Sequence, residues 1–294
     1  GLFLVNYHQY ALSGLLTCTF IQLVYGGKND MNIMRLLLAL FKSGLLSFSS
    51  ITKLLRAILK HGLNLMALLD FAASKYGKNV AMIDDTNELT YSELLKDSMQ
   101  LSRLLNDQYD VKPKQKIGIL CRNHAPLVKN IFALSRLGAR LYLINVEIGN
   151  VQFHQLVKKH QFDLLIYDAH FSPLVNESTI KQTLCITEMM EILNESTLDN
   201  RPIQRTSTSN IILLTSGTTG TPKEVIHQPS LFNYLNPFLG MLQRLKLVQY
   251  KVGYIATPIY HGYGIAILFL FTALGKKIVL SEKFDAKNAC ALIQ

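Results

Sequence analysis

One stretch of this chain says more about its fold than any other: Leu214-Thr215-Ser216-Gly217-Thr218-Thr219-Gly220-Thr221-Pro222-Lys223. It continues the apolar run Ile211–Leu214, which predicts a buried strand. Gly217 and Gly220 let the backbone turn back on itself and expose successive N–H groups. Such amide groups, with several hydroxyls and one ammonium group, suit the binding of a polyphosphate. The alternative is an ordinary surface loop, in which Ser, Thr and Gly also cluster.

The glycine spacing excludes a Walker A loop, which has four residues between its glycines and ends in Gly-Lys-Ser/Thr. This counts against an unrelated NTP hydrolase, as does the lack of a recognisable acidic partner for Mg²⁺. The stretch instead resembles the phosphate-loop signature of the adenylate-forming superfamily, Thr-Ser-Gly-Thr-Thr-Gly-x-Pro-Lys-Gly. Glu224 stands where that family has glycine. A carboxylate beside a triphosphate is repulsive unless it points away or meets a cation.

A second motif follows the strand candidate Gly253–Ala256 and spans Thr257–Gly264 (Thr-Pro-Ile-Tyr-His-Gly-Tyr-Gly). It resembles the family segment Pro-x-Phe-His-x-x-Gly, which lines the acyl and carboxylate end of the pocket. The resemblance implies that Tyr260, His261 and Gly262 bind the substrate, with His261 against the acyl group or its carboxylate. A single His beside aromatic residues is otherwise more often a packed, hydrogen-bonded residue. The phosphate-loop motif upstream favours the ligand role.

The resemblance implies a ligase that works in two steps. A carboxylate attacks the α-phosphate of ATP, giving acyl-AMP and pyrophosphate, and the thiol of coenzyme A then displaces AMP. Lys223 adds a point charge to the phosphates and, with His261, is a catalytic candidate. Mg²⁺ bridges phosphate oxygens and needs few protein ligands, so no residue is assigned to it. The residues implied to hold the β- and γ-phosphates are Thr215, Ser216, Gly217, Thr218, Thr219 and Gly220.

Further matches occur in the order seen in the long-chain fatty acyl-CoA synthetase branch, which implies a fatty acid as the substrate. They are Cys121–His124, Leu137–Ala139, Leu143–Asn145 and Leu274–Gly275. Residues 1–294 contain no counterpart of the segments with which the family binds adenine and ribose. They also lack its hinge and its small C-terminal domain. We therefore expect a front part that is inactive alone and needs a complementing C-terminal half. The alternative is a non-catalytic fragment that binds nucleotide or acyl chains weakly or associates with a membrane surface.

Strand and helix patterns alternate from residue 116 to residue 167 and are joined by short links. This predicts βαβ units, an α/β fold with mostly parallel sheets flanked by helices. The resemblance assigns residues 77–294 to an incomplete large N-terminal domain of the adenylate-forming fold. Thr90 and Glu93 predict a capping box at a helix start, and Gly138 predicts a helix end. The predicted strands are 79–84, 116–121, 140–145, 162–167, 253–256 and 276–280, and the predicted helices are 125–137, 151–160 and 285–294.

The polar tripeptide Arg122-Asn123-His124 directly follows the strand predicted at 116–121. Loops after strands bind ligands in doubly wound sheets, so the tripeptide is a candidate for substrate contact. The resembling family keeps a polar Arg-Asn pair there without a chemical role that we can name. A structural role is therefore the alternative.

The bulk composition is that of a globular chain, with 294 residues, 49% apolar residues and a net charge of +10. The scattered cysteines Cys18, Cys121, Cys185 and Cys290 lack metal-ligand or redox spacing, so we expect free thiols in a reducing cytoplasm. The positive charge is concentrated in the helical segment 31–76. There Lys53, Arg56 and Lys60 share one helical face, while Leu54, Leu55, Ile58 and Leu59 face elsewhere.

The basic face in segment 31–76 allows two interpretations. It can lie on an anionic membrane at the inner surface, or the helix packs on its own domain with a solvated basic face. Nucleic-acid binding is not expected, because the segment has no recognised binding module and no aromatic residues at helical spacing.

Residues 1–30 are apolar but lack the basic start and the cleavage site of a signal peptide. The run Leu12–Tyr25 is too short and too polar for a confident membrane-spanning helix. Gly26-Gly27 followed by Met31 is consistent with a translated ribosome-binding sequence ahead of a start codon. One hypothesis is that natural translation starts at Met31. The other is that residues 1–30 belong to the protein.

Overall fold

The computed structural model describes residues 41, 44–195, 203–207, 209–215, 223–227, 249–285 and 287. A 3₁₀ turn spans Ala169–Phe171. The helices are α1 (Phe48–His61), α2 (Leu65–Tyr76), α3 (Tyr91–Asp107), α4 (Ala125–Leu137), α5 (Asn150–His160), α6 (Ser172–Asn176), α7 (Ile186–Glu195) and α8 (Gly262–Leu274). The strands are β1 (Val80–Ile83), β2 (Glu88–Thr90), β3 (Lys116–Leu120), β4 (Arg140–Leu143), β5 (Leu164–Tyr167), β6 (Thr183–Cys185), β7 (Asn210–Thr215), β8 (Lys223–His227), β9 (Val252–Tyr254) and β10 (Lys277–Val279).

The larger sheet has the strand order β6-β5-β3-β4-β7-β8, and all of its pairs are parallel except β7–β8. The middle residues of its central strands are apolar because helices cover both faces. In β5, Leu164 and Ile166 belong to one buried cluster, and Leu165 and Tyr167 belong to the cluster on the opposite face. The predicted α/β fold with βαβ units is therefore confirmed.

A smaller sheet has the order β2-β1-β10-β9, in which β1 pairs in parallel with β10. The pairing of β1 with β10 joins residues far apart in the chain, such as Met82 and Ile278. Tyr91, at the start of α3, donates its hydroxyl proton toward the carbonyl oxygen of Lys276, 2.7 Å away. Sequence patterns predicted these strands singly, but they did not indicate that the strands form a second sheet.

The predicted helix termini are confirmed. Thr90 and Glu93 form a reciprocal capping box, with the Thr90 amide 2.8 Å from Glu93 Oε2. Gly138 ends α4 with a φ of 74°, a left-handed conformation that glycine adopts without strain. The helix predicted at 285–294 falls almost entirely outside the described residues.

Within segment 31–76 the structure has two helices, α1 and α2, and a turn over residues 44–47. Gly62, with a φ of 92°, separates α1 from α2. Ala57 of α1 packs against Ala67 and Phe71 of α2. The proposed start at Met31 and the whole of residues 1–30 lie outside the described residues. Within the described part of the chain, no helix has the length and apolar character needed to cross a bilayer.

Candidate functional site at the ends of β7 and α8

The second sequence motif lies beside the strand of the larger sheet that leads into the first motif. A Cβ atom on Gly262, the first residue of α8, would lie 3.5 Å from Cδ1 of Leu213 in β7. The phosphate-loop stretch leaves β7 two residues later, at Thr215. The start of α8 therefore lies beside the strand end from which that stretch begins.

A β-hairpin frames the phosphate-loop stretch. β8 runs antiparallel to β7, and the register pairs Thr215 with Lys223 and Leu214 with Glu224. The two ends of the stretch are thus neighbours across the hairpin. Ser216, Gly217, Thr218, Thr219 and Gly220, which the sequence assigned to phosphate binding, lie outside the described residues. The strand β8 was not predicted from the sequence.

His261 is the N-cap residue of α8, with an extended backbone and an exposed side chain. Its backbone amide donates to the carbonyl oxygen of Pro258 at 3.0 Å, and its ring centroid lies 4.7 Å from that of Tyr260. Tyr260 is only 8% exposed. Burial raises the pKa of the Tyr260 phenol, Glu147 adds to the rise and Arg122 opposes it. The phenol therefore stays neutral near neutral pH and packs in the core.

The N-terminus of α8 suits a negatively charged group. Its first turn has no acidic residue, and Gly262 and Tyr263 are exposed. The first N–H groups of a helix lack intrahelical partners, and the helix dipole adds positive potential there. The close approach of the turn requires glycine, since a Cβ atom on Gly264 would lie 2.3 Å from the carbonyl oxygen of Pro258. A carboxylate or phosphate beside His261 would meet these donors.

Asn123, after β3, holds the segment that leads to His261. Its Nδ2 donates to the carbonyl oxygen of Thr257 at 3.2 Å, and its Oδ1 accepts from the amide of Ile259 at 2.9 Å. The residue is 7% exposed. Sequence reasoning left a substrate contact and a structural role open for Asn123, but it did not identify the segment that this side chain holds. The available signal was a polar side chain directly after a buried strand, but the partner lies more than 130 positions away.

Replacing Asn123 with alanine is expected to lower the free energy of unfolding by about 1–3 kcal/mol, because a buried donor and acceptor lose their partner. Urea unfolding followed by circular dichroism measures the change. Asn150→Ala is the matched control, since the Asn150 amide contacts Glu177 at the surface. The control should change the free energy by less than about 0.5 kcal/mol. Equal effects of the two substitutions would contradict the positioning role of Asn123.

Buried His124 and partly buried Asp168 form a structural pair next to the site. His124 Nδ1 accepts from the amide of Leu127 at the start of α4, and its Nε2 lies 2.7 Å from Asp168 Oδ1. Asp168 Oδ2 accepts from the amide of Arg122. Because both ring nitrogens and both carboxylate oxygens have protein partners, this pair holds loops together and is not a free acid–base couple.

Cys121 lies with His124 and Asp168 in a group whose candidate ligand atoms are all within 4.8 Å of one another. Burial raises the pKa of the Cys121 thiol well above its usual value, and Asp168 adds to the rise. A neutral thiol is a poor nucleophile, and the ring of His124 and the carboxylate of Asp168 already have protein partners. The group therefore contributes packing and hydrogen bonds. The expectation of free thiols is confirmed for Cys121 and Cys185.

An open cavity of about 410 Å³ lies at the carboxyl ends of β1, β3 and β5. Asp84, on its wall, accepts from the amides of Ala125, Thr86 and Asn87. Burial opposes ionisation of Asp84, but these hydrogen bonds outweigh it and lower its pKa. Tyr260 and His261 are not among the residues that line this cavity. The cavity and the site at the start of α8 are thus adjacent but separate features.

Comparison with protein families gives one match of broad extent. A family model described as AMP-binding enzyme matches residues 69–294. Among curated proteins, the 2-succinylbenzoate–CoA ligase of Bacillus velezensis is 26% identical over 216 residues, covering 72% of this chain and 42% of the ligase. The putative long chain fatty acid-CoA ligase VraA of Staphylococcus epidermidis is 24% identical over 231 residues, covering 78% and 45%. The chain spans less than half the length of these relatives.

Solved structures share the fold. The O-succinylbenzoate coenzyme A synthetase of Bacillus subtilis, in complex with ATP and magnesium ion, aligns with a TM-score of 0.66 at 22% identity. The alignment covers 77% of this chain and 60% of that chain. The N-terminal domain of FACL13 from Mycobacterium tuberculosis aligns with a TM-score of 0.66 at 18% identity, covering 78% and 60%. At these identities the likeness establishes the fold alone.

Proposed function

Since the chain belongs to the AMP-binding enzyme family of adenylate-forming enzymes, we propose that it binds ATP and a carboxylic acid for an ATP-dependent acid–thiol ligase. The observation that carries the proposal is the contact between the start of α8 and the end of β7. It brings His261 next to the strand from which the phosphate-loop stretch leaves. A ligase of this kind must hold the carboxylate against the α-phosphate of ATP. Two adjacent sites for anionic groups supply that arrangement.

In the proposed reaction a carboxylate oxygen of the acid attacks the α-phosphorus of ATP, and pyrophosphate leaves. The thiol of coenzyme A then attacks the acyl carbon and releases AMP. Thr215 and the stretch that follows it hold the β- and γ-phosphates, and Lys223 neutralises part of their charge. Mg²⁺ neutralises phosphate oxygens when it is bound. His261 and the N-terminal amides of α8 orient the carboxylate, so catalysis is mainly positioning and charge neutralisation.

Two classes of acid compete as the substrate. The additional sequence matches favour a fatty acid, as does the similarity to the putative long chain fatty acid-CoA ligase of Staphylococcus epidermidis. The similar Bacillus ligases are named for 2-succinylbenzoate, which favours an aryl acid. After Gly264, α8 is apolar except for Thr272, and most of its side chains are buried in the core, so this helix favours neither class of acid.

Pyrophosphate release with ATP and Mg²⁺ tests the proposal and ranks the acids. The panel contains fatty acids of increasing length and 2-succinylbenzoate, with and without coenzyme A, and a reaction without acid is the blank. The assay is run on the 294-residue chain and on the polypeptide isolated from its natural host. We expect acid-dependent release by at least the latter. Release with none of the acids by either protein would contradict the ligase function.

Nucleotide binding without turnover by either protein would favour the second candidate, a non-catalytic fragment. That candidate is kept because the chain spans less than half the length of the relatives.

His261→Ala is expected to reduce acid-dependent pyrophosphate release by about tenfold or more, since a hydrogen bond to a charged group contributes roughly 1.5–3 kcal/mol. His154→Ala is the matched control. His154 lies in α5, and its Nε2 is 4.0 Å from the exposed Glu177 carboxylate. The control should retain the rate of the parent. An unchanged rate with His261→Ala would remove this residue from the site while leaving the ligase assignment intact.

A further inference from the structure

Helix α1 presents three different faces. One face is buried: Ala57 packs on α2, and His61 lies 2.6 Å from the Asp70 carboxylate. A second face carries Lys53, Arg56 and Lys60, as the sequence predicted. The third face is apolar, and it differs from the usual arrangement in which the apolar side of an amphipathic helix faces the core.

The apolar face is exposed to solvent along the length of α1. The exposed fractions are 76% for Phe48, 43% for Ile51, 54% for Leu55 and 68% for Leu59. These residues recur at spacings of three and four, so they form one stripe on the helix, which we call the apolar stripe. Leu63, just after the helix, extends it and is 53% exposed. Small buried residues attach α1 to the domain, while its large apolar residues point outward.

The charged side chains that α1 itself carries are all basic. The sequence has no Asp or Glu between Asp30 and Asp70. Asp70 pairs with Lys60 across a distance of 2.8 Å. Within the described part of the chain, Lys53 and Arg56 form no ion pair. An exposed apolar stripe flanked by uncompensated basic residues is the pattern of a helix that lies in a membrane interface.

We propose that α1 docks the protein on an anionic lipid surface. The apolar stripe enters the boundary between headgroups and acyl chains, and Lys53 and Arg56 contact lipid phosphates. The helix has 14 residues and is therefore about 21 Å long, so it lies in the plane of the surface. This inference concerns location and does not depend on the proposed ligase function.

Charge favours a lipid surface over the other occupants of the apolar stripe. In a symmetric dimer that buries the stripe, the same patch on both subunits meets itself. Lys53 and Arg56 of one copy would then approach those of the other, which is unfavourable. Residues 1–40 carry Asp30 as their one acidic residue, so that segment does not offer complementary charge either.

Co-sedimentation with lipid vesicles tests the proposal. The full chain is mixed with vesicles of phosphatidylcholine alone or of phosphatidylcholine with phosphatidylglycerol, at low and high salt. We expect binding to the anionic vesicles that weakens at high salt, since salt screens charges at the surface. Failure to bind anionic vesicles at low salt would overturn the proposal, and so would equal binding to both kinds of vesicle.

Paired variants separate the two contributions. Lys53→Gln with Arg56→Gln is expected to weaken binding about 25-fold, since each basic residue near an anionic bilayer contributes roughly fivefold. Leu55→Ser with Leu59→Ser is expected to weaken it about tenfold or more, because the apolar contact is lost. Both leucines are exposed, so circular dichroism and the unfolding midpoint should match the parent.

Matched controls come from α5, where Val151 is 70% exposed and Lys158 is also exposed. Val151→Ser and Lys158→Gln should bind anionic vesicles like the parent. Equal loss in the controls and in the α1 variants would overturn the assignment to α1. Size-exclusion chromatography with light scattering measures the oligomeric state and adds one further outcome. A dimer that dissociates with Leu55→Ser and Leu59→Ser would place a second copy on the apolar stripe and contradict lipid docking.

Discussion

Replacing Lys223 with alanine is expected to weaken the binding of MgATP by about 10- to 150-fold. The basis is the proposed contact between the Lys223 ammonium group and the phosphates. A charge-assisted hydrogen bond contributes roughly 1.5–3 kcal/mol, and each 1.4 kcal/mol changes affinity about tenfold. The register of the hairpin supports this role, because it pairs Lys223 with Thr215 at the two ends of the phosphate-loop stretch. Isothermal titration calorimetry with ATP and Mg²⁺ measures the change.

Two variants make the Lys223 experiment specific. Lys158→Ala removes an exposed lysine from α5 and should leave the affinity for MgATP unchanged. Lys223→Arg keeps the charge but changes its geometry, so it should retain part of the affinity. If Lys223→Ala binds MgATP as tightly as the parent, Lys223 is not in the site. If the parent itself does not bind MgATP, the proposed function of the chain is contradicted, whatever the variants do.

Replacing Asp70 with alanine is expected to lower the free energy of unfolding by about 3 kcal/mol near neutral pH. Asp70 is 8% exposed and joins α2 to α1. Its Oδ2 accepts from Lys60 Nζ at 2.8 Å and lies 2.6 Å from His61 Nε2, while Oδ1 accepts from Ser74. Removing the carboxylate leaves the His61 side chain, which is 2% exposed, without this partner. Urea unfolding monitored by circular dichroism gives the loss.

The effect of Asp70 should depend on pH in a defined direction. Burial opposes ionisation, but hydrogen bonds and charge from His61 and Lys60 outweigh it and hold the pKa of Asp70 well below its usual range. An aspartate in the unfolded chain titrates near pH 4. The stabilisation is therefore complete above about pH 5 and is lost as the pH falls toward the lower pKa of the folded state. The difference between the parent and Asp70→Asn should shrink below about pH 4.

A surface carboxylate provides the comparison for Asp70. Asp110 pairs with Lys112, and the two side chains are 79% and 55% exposed. Asp110→Asn should change the free energy of unfolding by less than about 1 kcal/mol at any pH in the series. Asparagine also tolerates the positive φ of 50° at this position. A constant difference between the parent and Asp70→Asn across the pH series would rule out the ionised form of Asp70 as the source of stability.

Local patterns in the sequence predicted most of the secondary structure because their causes are local. The helix predicted at 125–137 matches α4 residue for residue. The capping box at Thr90 and the left-handed Gly138 were predicted from side chains within three or four positions of the helix end. Apolar runs predicted β3, β4, β5 and β7 of the larger sheet, because burial on both faces requires them, whereas the edge strands β6 and β8 were not predicted.

Long-range contacts could not be predicted, because the residues that make them are distant from one another in the sequence. Asn123 differs little from any polar residue after a strand until the fold brings Thr257 and Ile259 to it. The exposure of Leu55 and Leu59 is a similar case. Their spacing predicts only that they share a side of α1, and whether that side meets the core depends on how α1 attaches to α2.

The sequence by itself determined the family resemblance, the alternation of strands and helices, and the residue types at the two motifs. These features depend on residues that are neighbours along the chain, so the sequence alone reveals them. Only the tertiary structure decided that β1 and β10 share a second sheet, that the start of α8 lies against the end of β7, and that the apolar stripe of α1 faces solvent. Each of these joins residues distant in sequence, or depends on which surface the rest of the chain leaves uncovered, and a linear pattern carries no such information.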